Sequence, residues 1–253
     1  MQREVYRELR RCLDDERLAV LVTVVTGADA GRQILFGPGG LEVGDLGTPE
    51  RNREARTQAE QARKSFRNGR VTLGSGASEI DVFVDVHPPH PQLVIVGAVH
   101  VAIPLIDFAS RLGFHTIVID PRSAFATRDR FAHADRLLCE WPGDAFREVN
   151  LHESSYLAVL SHDLKIDLPA IETALRSPVR YIGALGSKKT HGKRVAALEE
   201  KGFAKEQIAR IHSPIGLDLG GRRAEEIALS VMAQVVAVRH GKDSTPVRPS
   251  AAE

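Results

Sequence analysis

The sequence predicts an α/β protein: a doubly wound parallel sheet preceded by a smaller α+β unit. Three observations predict it. After residue 91, short apolar runs alternate with helical patterns, and a strand–helix–strand rhythm implies parallel pairing through crossover helices. Before that point, a β-branched run and an alternating strand pattern accompany two helical segments. Between the halves lies His87-Pro88-Pro89-His90-Pro91, a stiff stretch whose residues favour extended backbone. The expected division is a first domain at 1–90, a second at 91–241, and a disordered tail at 242–253.

Each element has its own justification. Arg3 to Asp14 has the pattern of an amphipathic helix. Leu18 to Thr26 (LAVLVTVVT) is a β-branched run that reads as a buried strand, with Gln33 to Phe36 as its hairpin partner. A surface helix is expected from Pro49 to Asn68, with Thr48 as N-cap, Pro49 at the first helical position and Gly69 past the end. Glu79 to Val86 (EIDVFVDV) alternates apolar and charged residues as a half-buried strand does. In the second half, strands are expected at Leu93–Val96, His115–Ile119, Arg136–Cys139, Tyr156–Leu160 and Val179–Ile182. Helices are expected at Val101–Leu112 (closed by Gly113), Asp167–Arg176, Lys188–Lys201 and Arg223–Arg239. The last carries apolar residues around nearly its whole circumference, the mark of a largely buried helix.

Composition narrows the function classes. The 253 residues are 43% hydrophobic and 26% charged, with 34 Lys+Arg against 33 Asp+Glu and a formal net charge of +1. That balance disfavours a general nucleic-acid binder, whose phosphate contacts show as a basic excess. Apolar runs such as Leu18–Val25 fall far short of the ~20 residues that span a bilayer. The charged N-terminus has no apolar core, so a secretory signal is not expected, and a cytoplasmic location follows. Cys12 and Cys139 alone make neither a disulfide framework nor a thiolate zinc site. Cys139, ending a strand, reads as core.

Three loops could carry chemistry. Gly97-Ala98-Val99-His100-Val101-Ala102 stands where a dinucleotide fold places its Gly-x-Gly-x-x-Gly/Ala fingerprint, and Asp120 follows 23 residues after Gly97. Gly97 and Ala102 match, while Val99 replaces the glycine that lets a pyrophosphate approach the backbone. A Rossmann-like domain is therefore expected more firmly than a bound NAD(P). Asp120, or Arg122 beside it, stands where an adenosine ribose would be held. His100, at the helix start, could face a ligand or serve as a capping or packing residue. In the second loop, Ser161-His162-Asp163 lies just past a strand end, where ligands bind in open α/β sheets. His162 and Asp163 read there as polar ligand contacts, a metal pair or a general acid–base pair, and Asp167 as a helix cap. One His and two Asp are too few to assign a metal. In the third, Gly183-Ala184-Leu185-Gly186-Ser187-Lys188-Lys189-Thr190 follows a strand and opens a helix. Glycines expose backbone N–H groups, and the helix N-terminus carries partial positive charge. From Arg176 to Lys205 there are eight Lys/Arg against two Glu, which reads as an anion site or as a solvated basic face.

The segments LVIVGAVHVAIPL, IDPRSAFATRDRF, VLSHDLKIDLPAIETAL, RYIGALGSKKTHGKRVAALEEKGF and IHSPIGLDLGGRRAEEIALSVMAQVVAVRHG, in that order, resemble the XdhC/CoxI family. Members are accessory proteins of xanthine dehydrogenase and carbon monoxide dehydrogenase. The resemblance implies a Rossmann-like second domain and a role in molybdenum cofactor maturation. A member binds the molybdopterin cofactor, holds it during sulfuration and hands it to the apo-dehydrogenase, without turnover of its own. Implied partners are an apo-molybdoenzyme of the xanthine dehydrogenase class and a sulfurating cysteine desulfurase, with a homodimer allowed and no nucleic acid or membrane. The expected cofactor-binding set is Gly97, His100, Asp120, Arg122, His162, Asp163, Gly183, Gly186, Ser187, Lys188 and Lys189, with no metal ligands and no assigned catalytic residue. The chain departs from the family where many members carry Gly-Gly-Cys, reading Gly39-Gly40-Leu41, and again at Val99, where the family has glycine. The competing class is an NAD(P)-dependent oxidoreductase.

Overall fold

The computed structural model describes residues 2–242. All but the first residue of the expected tail lies outside them. The chain forms two compact units, Met1–Pro89 and His90–Glu253.

The first unit runs α1 (Arg3–Asp14), β1 (Ala19–Val24), β2 (Gln33–Phe36), β3 (Glu42–Gly44), α2 (Pro49–Ser65), β4 (Gly69–Leu73) and β5 (Ile80–His87). Its antiparallel sheet has the order β3-β2-β1-β5-β4. Strand β1 is central, and its period-2 side chains serve two cores. Ala19 and Leu21 cluster with Val5, Leu9 and Cys12 of α1, while Val20, Val22 and Val24 cluster with Ala55 and Ala59 of α2. Burial on both faces explains why LAVLVTVV is continuously apolar instead of alternating. Thr48 caps α2 by accepting the Arg51 N–H. The helix ends at Ser65, earlier than expected, because Phe66 adopts a left-handed conformation (φ 53°) and the chain turns into β4.

The second unit runs β6 (Gln92–Val96), α3 (Ala102–Arg111), β7 (His115–Ile119), β8 (Arg136–Leu138), α4 (Pro142–Ala145), β9 (Ser155–Val159), α5 (Leu164–Leu175), β10 (Tyr181–Ala184), α6 (Lys188–Glu200), α7 (Lys205–Ile208), β11 (Ile211–His212) and α8 (Ala224–Arg239). Its six strands take the order β11-β10-β9-β6-β7-β8, and every neighbouring pair is parallel. Numbered within the unit this is 3-2-1-4-5-6, the Rossmann order, with the switch point between β6 and β9. Helices cover both faces. Leu93 and Ile95 pack with Leu105, Ile106, Val231 and Val235, while Val94 and Val96 pack with Ile166, Ala170, Ile171 and Leu198.

Several expectations need correction. Pairing with β9 carries β10 on to Ala184, so Gly183 lies inside a strand and not in the turn. Helix α5 starts at Leu164, and its cap is Asp163, which accepts the Lys165 N–H at 2.9 Å. Asp167 is a buried residue of its first turns, not a cap. Strand β8 is an edge strand of three half-buried residues, and Cys139 just past it is exposed instead of core. The α8 helix turns one side outward: Leu229 is half exposed.

Candidate functional site

The loops leaving β7, β6, β9 and β10 lie side by side at the carboxyl end of the parallel sheet, since these strands are consecutive neighbours. A line of hydrogen bonds runs across them.

It starts at Asp120, fully buried at the end of β7. One oxygen accepts the Ala98 N–H at 2.7 Å and an Arg122 guanidinium N–H at 2.7 Å; the other accepts the Arg122 backbone N–H and Nε–H, both at 2.9 Å. Burial works to raise the carboxyl, but the Arg122 guanidinium and the two backbone donors outweigh it and hold the group below the usual carboxylate range. Both oxygens are committed to protein donors. Asp120 therefore ties the Gly97 turn to the Arg122 loop, and Arg122 in turn lies over the Phe125 ring at 4.3 Å.

Gly97 follows with φ 112°, a conformation that favours glycine. A Cβ here would stand 2.6 Å from the Ser161 backbone nitrogen. The glycine thus allows the loops after β6 and β9 to touch at the switch point, where Leu160 also donates to the Val96 carbonyl at 2.8 Å. Val99 is half-buried against the core that α3 and α8 share with the sheet, and His100 is exposed.

From Ser161 the line turns inward. Its buried hydroxyl donates to Asp167 at 2.7 Å and accepts the Asp163 N–H at 3.2 Å. Asp167 also receives Nε–H (3.1 Å) and an Nη2–H from Arg194 of α6, in an ion pair fully buried on both sides. Burial pushes the Asp167 carboxyl up, while the Ser161 hydroxyl and Arg194 guanidinium pull it down. The Arg194 Nη2 also donates to the Leu185 carbonyl at 2.8 Å, which reaches the Gly186 turn. His162 and Asp163 stand exposed above this network.

At the Gly186 turn, Ser187 caps α6 by accepting the Thr190 N–H at 3.2 Å, and its carbonyl accepts the His191 N–H at 2.9 Å. The first N–H groups of a helix have no intrahelical partner, so those of Lys188 and Lys189 point out ahead of α6. Both lysines are exposed. Gly183 is set apart: within β10, its missing side chain makes room for the Tyr181 hydroxyl and Ile215. The structure therefore brings Gly97, Asp120, Arg122, Asp163 and Gly186 onto one connected edge, and leaves Gly183 in the sheet.

Sequence reading missed Ser161, Asp167 and Arg194 as a unit. One signal was available: Arg194 stands four residues before Leu198, so both share the helix face that is buried. Among the described residues no group of three His, Cys, Asp or Glu is placed to hold a metal ion, and no helix is long and apolar enough to cross a membrane.

The model of the XdhC Rossmann domain matches residues 93–235, which contain the whole network. YqeB of Escherichia coli K12, an uncharacterized protein, is 31% identical over 176 residues, 69% of this chain and 32% of that protein. A probable xanthine dehydrogenase subunit of Bacillus subtilis 168 is 31% identical over 159 residues, 63% of this chain and 46% of that one. The molybdenum cofactor insertion chaperone PaoD of Escherichia coli K12 is 35% identical over 111 residues, 44% of this chain and 34% of that one. The aligned part is thus a third to a half of each curated relative. In fold, the chain is similar to the crystal structure of a xanthine dehydrogenase from Bacillus halodurans, with TM-score 0.65, 23% identity, and 95% of this chain and 68% of that one covered.

Proposed function

This chain belongs to the XdhC family, and from that premise we propose that it is a maturation factor that binds the molybdenum cofactor and delivers it to a molybdoenzyme of the xanthine dehydrogenase type. The names of two relatives, an insertion chaperone and a component of xanthine dehydrogenase, support the reading. The observation that carries it is the convergence of the Gly97, Ser161–Asp163 and Gly186–Lys189 loops at the switch point of a Rossmann sheet, where such folds bind ligands.

The residues suit the cofactor's anionic end. Molybdopterin carries a phosphate, and the Gly186 turn offers a glycine, a capped helix N-terminus and two lysines. His100, His162 and Asp163, exposed on the same loops, would meet the pterin side. Bound there, the cofactor supplies the metal and its dithiolene ligand, and the chain's own residues hold and orient it. The committed oxygens of Asp120 weigh against the dinucleotide reading, in which that carboxylate must accept a ribose hydroxyl.

The test is native mass spectrometry of the chain co-produced with the molybdenum cofactor pathway. One equivalent of pterin per chain is the expected mass shift. A dinucleotide mass, or the bare chain under conditions that load a known cofactor carrier, overturns the proposal.

A further inference from the structure

Arg194 carries a buried charge that its protein partners only partly use. The guanidinium is a cation with five N–H donors and no acceptor. Three are accounted for by Asp167 and the Leu185 carbonyl. Nη1, with two N–H groups, is buried and has no hydrogen-bond partner among the described residues. A buried donor without an acceptor is costly, more so on a charged group. The side chain is fully buried, out of reach of bulk solvent.

Nη1 is directed at the Gly186 turn. A Cβ built on Gly186 would stand 3.1 Å from Nη1 and 3.3 Å from the Thr190 side chain, and Gly186 has φ 150°. The glycine and Thr190 are thus what lie over the free donors. Immediately outside is the N-terminus of α6, a 13-residue helix, with the Lys188 and Lys189 N–H groups facing forward.

We propose that Arg194 Nη1, Gly186 and the N-terminus of α6 form a binding pocket for a phosphate monoester, with Arg194 as its fixed charge. A carboxylate has two oxygens to offer. A phosphate monoester presents three charged oxygens, which suits two Nη1 donors and two backbone donors at once. Gly186 and Thr190 cover Nη1 in the structure, so the proposal requires the Gly186-Ser187 turn to move outward when the phosphate binds. Asp167 holds the guanidinium from behind, fixed in turn by Ser161, so the charge is positioned before the ligand arrives. This deepens the proposed function and rests on it only for the molecule that carries the phosphate: the pterin cofactor, with a nucleotide as the other source of the same group.

The experiment is calorimetric titration of the full chain with inorganic phosphate, 5′-AMP and molybdopterin in parallel, for wild type and Arg194→Lys. Lysine keeps a charge for Asp167 but lacks the forked second nitrogen. Phosphate affinity should fall at least tenfold in Arg194→Lys, and molybdopterin should compete with phosphate. In case the variant fails to fold, nitrogen-15 NMR of the wild-type guanidinium gives the same answer: phosphate, and not chloride, should move the Arg194 Nη resonances. Unchanged phosphate affinity in a folded Arg194→Lys, or unmoved resonances in wild type, overturns the pocket. Phosphate and AMP binding that depends on Arg194, with no binding of molybdopterin, leaves the pocket standing and overturns the pterin reading instead.

Discussion

A methyl group on Gly97 should cost this fold more than its size suggests. The residue sits at φ 112°, and an alanine there strains the backbone by about 1–2 kcal/mol. The new Cβ would also stand 2.6 Å from the Ser161 nitrogen and 3.1 Å from Leu160 C and Ser161 Cα, all backbone atoms that cannot rotate away. Forcing the two loops apart adds about 1–3 kcal/mol, typical of overpacking. The sum, about 2–5 kcal/mol, is a large part of the ~5–15 kcal/mol that holds a domain folded. For a unit of this size it lowers the melting temperature by roughly 4–20 °C. Gly202→Ala is the control, since Gly202 has φ 82° and a Cβ there would meet nothing within 4 Å among the described residues, so it carries strain without the clash. Trp141 is the only tryptophan and lies in the second unit, so urea unfolding followed by its fluorescence, with circular dichroism alongside, reports that unit. Gly97→Ala should be less stable than Gly202→Ala by at least about 1 kcal/mol, the low end of that overpacking range. Equal stabilities would refute the argument that Gly97 exists to let the switch-point loops touch.

Three other outcomes are expected. Asp120→Asn should destabilise the second unit by about 2–4 kcal/mol, because charge-assisted bonds from Arg122 are lost. Its pH profile carries a second signature: the folded carboxyl lies below its unfolded value, so the stabilisation is complete above about pH 4 and fades as pH falls further. Asn should flatten that acid limb, as urea midpoints from about pH 3 to 7 will read. His212, stacked on Tyr181 at 4.9 Å, is pushed down by burial, so its neutral form is favoured in the fold; stability should fall as pH drops below about 6.5, and less so in His212→Phe. Last, neither wild type nor Val99→Gly should bind NAD or NADP with submicromolar affinity in calorimetry, since Val99 packs on the core and Asp120 has no free oxygen for a ribose. Tight binding by the glycine variant would show that the valine alone had blocked a working dinucleotide site.

The second unit was legible because its inner strands are buried on both faces and read as apolar runs, with turn residues between them. Strands β3, β4 and β11 escaped: they are short or edge strands whose residues, such as Gly69-Arg70-Val71-Thr72-Leu73, show little apolar excess. The start of α5 was misplaced because Asp167 reads as a helix cap, whereas Asp163 supplies the cap and the helix accepts Pro169 inside. The loops of the candidate site could be read from glycines and strand ends. The network beneath them could not, because Ser161, Asp167 and Arg194 meet only when β9, α5 and α6 pack together, and a buried arginine looks like any other charge on a basic helix.

The Asp167–Arg194 pair also constrains how this sequence can drift. Losing either member alone leaves a buried, uncompensated charge and costs about 3–5 kcal/mol, whereas replacing both by well-packed apolar residues is close to neutral. Intermediates on the single-substitution path are therefore the unstable ones. Positions 167 and 194, far apart in the chain, should behave in descent as one character: kept as a charged couple or exchanged together.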